Sequence, residues 1–174
     1  MRPRIHLDDA PFEDLLAAYL RDHLTGAAGV SALARRAAGT TGQLDPEAAR
    51  TLTRLAKDIG DDRRALRRCA GALGIRQPRL RELGALLTER LGRMKLNGQL
   101  FGTSALSPVL ELDLLIMAVS GKARGWRALA ILAPDDLPDD IDPEGREQRS
   151  IEQRTELEAL QDRLMPRLRE SGQD

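Results

Sequence analysis

"LDPEAARTLTRLAKDIGDDRRALRRCAGALG", residues 44–74, is the stretch that decides the fold class. Asp45 is a natural helix N-cap, and Pro46 suits the first helical position because the amide hydrogen it lacks would have no partner there. Ala48, Leu52, Leu55, Ile59, Asp62, Leu66, Cys69 and Leu73 then follow at alternating steps of four and three. That alternation puts all of them on one stripe of an α-helix, the seam that a helix turns toward an antiparallel neighbour. Every seam position but one is apolar. The exception, Asp62, raises the question of function.

Helical spacing continues on both sides of this stretch, and no segment alternates with the period of two that a half-buried strand requires. A first helix is predicted from about Pro11 to Ala38, with Asp9 as its cap and Leu16, Tyr19, Leu20, Ala27, Val30 and Ala34 on one face. It stops in "GTTGQL" (39–44). A third opens at Pro78 and runs through Leu83, Leu87, Leu91 and Met94 to a stop at Asn97 and Gly98. Ser107 and Pro108 start a fourth, which ends before Pro134 and carries Lys122 on its seam between Val119 and Trp126. A fifth follows the acidic linker 134–144, with Ile151, Leu157, Leu160, Leu164 and Leu168 as its apolar side and Pro166 expected to kink or fray its last turns. The sequence therefore reads as all-α: an antiparallel up-and-down bundle of about five helices, one domain over 1–174 with flexible ends at 1–9 and 170–174.

Composition narrows function mainly by exclusion. At 174 residues one core is expected rather than two. Lys and Arg total 27 and Asp and Glu total 27, so no overall field draws the chain to nucleic acid or to an anionic membrane. The single cysteine, Cys69, cannot close an internal disulfide, and the only histidines are His6 and His23, so no zinc cluster is supplied. No long apolar run and no leader-like N-terminus occur, which makes a cytoplasmic protein with no cofactor the expectation. Charge is uneven locally. Arg63, Arg64, Arg67, Arg68, Arg76, Arg79 and Arg81 form a basic patch without one acid, while 135–144 is acidic without one base. The patch has no interleaved aromatic residues to stack on bases, so it reads as a solvated helix end and no nucleic-acid partner is expected.

Polar residues on the seams supply the candidate site. Counted from a turn near Gly42, His23 lies about 19 residues before it and Asp62 about 20 after it, so the two should share one level. Asp58, Glu89 and Arg90 fall near the same level. Three readings stay open: a satisfied network in which Asp62 accepts from the His23 imidazole and Arg90 completes the pairing; a metal ion held by His23, Asp58, Asp62 and Glu89; or acid–base chemistry by His23 oriented by Asp62. At the corner 98–107, Lys95 and Glu111 are equidistant from Thr103 and are expected to pair across it. The small-residue stretches "GAAG" (26–29) and "SGKARG" (120–125) call for a tight helix crossing or a ligand-sized gap, since glycine costs a helix about 1 kcal/mol against alanine.

A resemblance accompanies these features. "YLRDHLTGAAG" (19–29), "LAKDIGDDRRAL" (55–66), "GRMKLNGQL" (92–100), "SPVLELDLL" (107–115) and "GKARGWRAL" (121–129) together resemble an uncharacterised actinobacterial helical-bundle family of ferritin-like shape, over about residues 12–168. The resemblance implies a helical bundle and a bacterial cytosolic setting, and no particular reaction. Di-iron chemistry is not expected, because no Glu-x-x-His occurs in the chain. The expectation is a non-enzymatic bundle with a structural, oligomerisation or partner-binding role, as a homo-oligomer or with a protein partner. The alternative is a degenerate ferritin-like bundle binding a metal ion or small ligand around His23 and Asp62.

Overall fold

A computed structural model describes residues 11–42, 45–75 and 106–170. Among them the chain is all-helical: α1 (Phe12–Gly42), α2 (Pro46–Ala72), α3 (Ser107–Leu132) and α4 (Pro143–Glu170). Four helices stand there rather than the five expected. The expected helix 78–97 lies outside the described residues, and with it Glu89, Arg90, Lys95, Arg76, Arg79 and Arg81.

Local chemistry accounts for the helix ends. Asp45 caps α2 by accepting from the backbone N–H groups of Glu47 and Ala48, both at 3.0 Å. At the other end Gly74 takes the left-handed conformation, φ 65°, which lets the Ile75 N–H reach back to the Ala70 carbonyl at 2.8 Å. Asp142 opens α4 by accepting from the Gly145 N–H at 2.9 Å. α1 runs four residues past the expected stop at Ala38. Its polar residues Thr25, Ser31 and Thr40 return their hydroxyls to carbonyls one turn back, so they sit in the helix without seeking other partners. Pro166 lies inside α4 and does not end it, since near the C-terminus it interrupts only the closing turns.

The helices form two hairpins, α1 with α2 and α3 with α4, each packed extensively; α1 meets α3 less closely and α2 touches α4 at few points. Cross-links fix the directions. Arg36 with Glu111 and Tyr19 with the Arg124 carbonyl make α1 and α3 antiparallel. Asp62 with Arg146 and Arg68 with Asp140 do the same for α2 and α4. α2 and α3 are consequently parallel and face each other across the bundle diagonal.

Apolar packing divides into two clusters. One gathers Leu16, Leu20, Leu24, Cys69, Trp126 and Leu129; the other gathers Leu52, Leu55, Ile59, Leu112, Leu115 and Leu157. Each fully buried leucine stabilises the bundle by about 1.5–3 kcal/mol relative to exposure. Between the clusters lies a level of different character, and the candidate site is there.

Candidate functional site

Asp62 enters this level because the seam of α2 carries it inward between Ile59 and Leu66, leaving it 2 % exposed. A buried carboxylate requires cationic partners, and two helices provide them. Lys122 of α3 donates from Nζ to Oδ2 at 2.6 Å, and Arg146 of α4 donates from Nη1 to Oδ1 at 2.6 Å. Lys122 also donates to Gln153 Oε1 at 2.5 Å, whereas the buried Gln153 Nε2 has no acceptor. The Arg146 guanidinium lies 5.3 Å from the Trp126 ring centroid, within cation–π range. Burial pushes the Lys122 ammonium below its ordinary pKa, and the attraction and hydrogen bond of Asp62 act in the opposite direction.

His23 reaches the same level from α1. Its Nδ1 is 3.1 Å from the Tyr19 carbonyl oxygen; a carbonyl only accepts, so Nδ1 carries the proton and neutral His23 keeps its lone pair on Nε2. The ring also lies 4.3 Å from that of Tyr19, centroid to centroid. On its other side is the backbone of α3. A Cβ placed on Gly125 would sit 2.5 Å from His23 Cδ2, so glycine is what allows this approach.

The glycines of α1 and α3 leave space beside this contact. A cavity of about 210 Å³ opens between α1, α2 and α3, with His23, Gly26, Asp62, Gly121, Lys122 and Trp126 in its wall. Most of the remaining lining is apolar, including Val30, Ile59 and Leu66. The gap expected from "GAAG" and "SGKARG" is therefore present, together with a tight crossing at Gly125.

His23 and Asp62, expected at one level, both line this cavity. The pairing expected between them is not made. Both Asp62 oxygens are taken by Lys122 and Arg146, while the His23 hydrogen bond goes to its own helix. Asp58 also stands apart: it is one position before the Ile59 seam site, rotated toward solvent, and faces Arg54 at 3.7 Å. Among the described residues no group of three or more His, Cys, Asp or Glu side chains could hold a metal ion. Glu111 is buried and is bound by Arg36 at 2.7 Å; its expected partner Lys95 is outside the described residues. In the basic patch, Arg64 pairs with Asp61, and Arg68 makes two hydrogen bonds to Asp140, at 2.7 and 2.5 Å. Arg63 lies at the cavity, where burial and the neighbouring Arg67 and Arg35 lower its pKa. Cys69 is inert as a nucleophile, its thiol pushed up to about 11 by burial.

Arg146 and Gln153 were missed by sequence reasoning, although a signal existed. Arg146, Ser150, Gln153, Leu157, Leu160 and Leu164 repeat the four–three alternation of α2. Reading only the leucines hides its polar first half. No helix among the described residues is long and apolar enough to cross a membrane. No family model, curated protein or solved structure matches the chain.

Proposed function

We propose that this chain is a non-enzymatic ligand-binding bundle whose central cavity, walled by His23 and Asp62, takes one small organic molecule. The observation that carries the reading is the 210 Å³ cavity itself. An apolar engineered cavity of about 150 Å³ admits benzene, so a molecule of one ring with a short substituent is of suitable size. The pairing of two antiparallel hairpins, with α2 and α3 parallel, supports a ferritin-like shape without metal chemistry. A metal ion on Asp62 would have to displace two charge-assisted hydrogen bonds, and one imidazole adds little in return. Catalysis has less support, because the cavity wall carries no activated nucleophile beside His23.

Toluene tests the reading directly. Titrated into the purified chain, it should shift the amide resonances of residues around Gly26 and Trp126 and raise the melting temperature. Gly26→Leu should abolish both effects, because Gly26 lines the cavity and a Cβ there meets nothing within 4 Å. Toluene that leaves the wild-type spectrum unchanged would overturn the proposal.

A second reading, self-association or binding of a protein partner, draws on a separate feature. Phe12 and Leu15 at the start of α1, and Ile131 and Leu132 at the end of α3, are 41–61 % exposed and belong to the same end of the bundle. Exposed apolar groups gathered in one region mark interaction surfaces. Light scattering coupled to size exclusion should give a mass above 19.1 kDa that falls on Ile131→Glu, and a strict monomer removes the self-association form of this reading.

A further inference from the structure

We infer that the molecule taken by this cavity is an organic monocarboxylate with a small apolar body, its carboxylate bound by Lys122. The inference rests on the reading that the cavity binds a small molecule and adds the chemical class. Charge is the first argument. The buried carboxylate of Asp62 faces two cations, Lys122 in the cavity wall and Arg146 behind it; the wall also holds Asp22, which is exposed to solvent, and Arg63, a third cation. Asp61 and Asp58, the next acids along α2, are engaged with Arg64 and Arg54, and the pull of Asp58 on Lys122 is opposed by Arg149. Asp62 is 2 % exposed and the two cations are 15 % and 20 % exposed by side chain, so the surplus positive charge is poorly screened by solvent and favours an anion.

Hydrogen-bond valence points the same way. An ammonium has three N–H donors, and Lys122 directs two of them, to Asp62 and Gln153. The third remains for a ligand, and Lys122 is in the cavity wall. Gln153 Nε2 is a further buried donor with no acceptor. Around Lys122 the spare donors have no acceptor, which a carboxylate corrects; His23 Nε2 supplies an acceptor elsewhere in the wall. The walls limit the rest of the molecule. Val30, Ile59, Leu66 and Trp126 would strip water from a phosphate dianion without replacing its hydration, while they accommodate a ring or branched alkyl group.

The test compares four probes built on one phenyl ring, with phenylacetate and phenylacetamide matched in size, on the full chain by calorimetry and amide shifts: toluene, phenylacetate, phenylacetamide and benzylamine. Phenylacetate is expected to bind at least tenfold more tightly than phenylacetamide, with benzylamine weakest. Lys122→Met should bring the phenylacetate to phenylacetamide ratio to about one and leave toluene binding in place; Asp62 and Arg146 remain a balanced pair in that variant. Gly26→Leu, which adds bulk to the cavity without touching the charged layer, should remove all binding and stands as the control if Lys122→Met does not fold. Toluene binding with no preference for phenylacetate, or a preference that survives in Lys122→Met, overturns the carboxylate assignment and leaves the ligand-binding reading intact. Tighter binding of benzylamine overturns it as well. Failure of every probe, toluene included, overturns the ligand-binding reading itself.

Discussion

At one end of the bundle Leu20, Leu24, Cys69, Trp126 and Leu129 close on one another, and at the other Leu52, Leu55, Leu112, Leu115 and Leu157 do the same. The level between them is built on the same helices at the same spacing, yet it holds Asp62, Lys122, Arg146 and a cavity. Backbone geometry does not distinguish the regions, so the difference lies in what the side chains are for. Leucine at position 62 would continue the seam and close the core. The carboxylate instead incurs a desolvation penalty that its two partners offset only through close geometry. Stability is served at the ends, and the middle gives up some of it to hold charge beside an open space.

The largest effect should come from removing the charge that both cations share. Asp62→Ala leaves Lys122 and Arg146 together with no carboxylate, and is expected to cost about 3–5 kcal/mol in urea denaturation. The triple replacement Asp62→Leu, Lys122→Met, Arg146→Leu removes the whole set and should recover most of that loss. If the triple variant is as unstable as Asp62→Ala, the middle is a stability element like the ends and the contrast fails.

The apolar end has its own titration. Cys69 is fully buried, and its thiol is held up to about 11 against an ordinary 9.0. Between those values the folded chain keeps a proton that the unfolded chain has released, so stability falls as pH rises through the window, by about 2–3 kcal/mol in all. Lys122 acts in the opposite sense. Its folded value lies below its ordinary 10.5, so in that interval the unfolded chain holds more protons and stability rises with pH. Cys69→Ala removes only the first effect. Its urea midpoint, measured against wild type at pH 8 and pH 10.5, should improve relative to wild type at the higher pH. An unchanged difference would mean that the end is wetter than its packing implies.

What the sequence made legible follows the same division. The α2 seam named Leu52, Leu55, Ile59, Asp62, Leu66 and Cys69 as inward, and all are buried, because a four–three repeat depends only on helical pitch. The level shared by His23 and Asp62 came from counting along one hairpin, where a short turn leaves little freedom. Their partners could not be counted in this way. Arg146 and Gln153 belong to a helix reached through long connections, whose height against α2 no residue count sets. Lys122 was placed on a seam but not on Asp62 for the same reason. Burial of Leu24 in α1 was also missed, because Leu16, Tyr19 and Leu20 suggested a face slightly rotated from the observed one.

Gly125 tests how closely the middle is fitted despite its cavity. Gly125→Ala drives a methyl group to 2.5 Å from His23 Cδ2, and the ring cannot move without losing its bond to the Tyr19 carbonyl. The expected cost is about 1–3 kcal/mol, the range for overpacking. His23→Ala in the same chain vacates the contact and should restore part of it, since neighbouring substitutions are not additive. Full additivity in the double-mutant cycle would show that the ring and α3 do not touch.

The smallest expected effect sharpens the comparison along the seam of α2 and α4. Arg54 pairs there with Glu156, as Asp62 does with Arg146 two turns away, and the two links join the same helices. They differ in solvent. Arg54 and Glu156 are 53 % and 37 % exposed by side chain, against 2 % for Asp62. Water and salt screen the outer pair, and ordering two long side chains consumes much of what remains, so Arg54→Ala should cost no more than about 1 kcal/mol and less in 1 M salt. Asp62→Ala should lose several times as much and respond little to salt. Equal costs at the two positions would mean that burial is not what sets the middle level apart, and the surplus charge assigned to the cavity would then be screened like any surface charge.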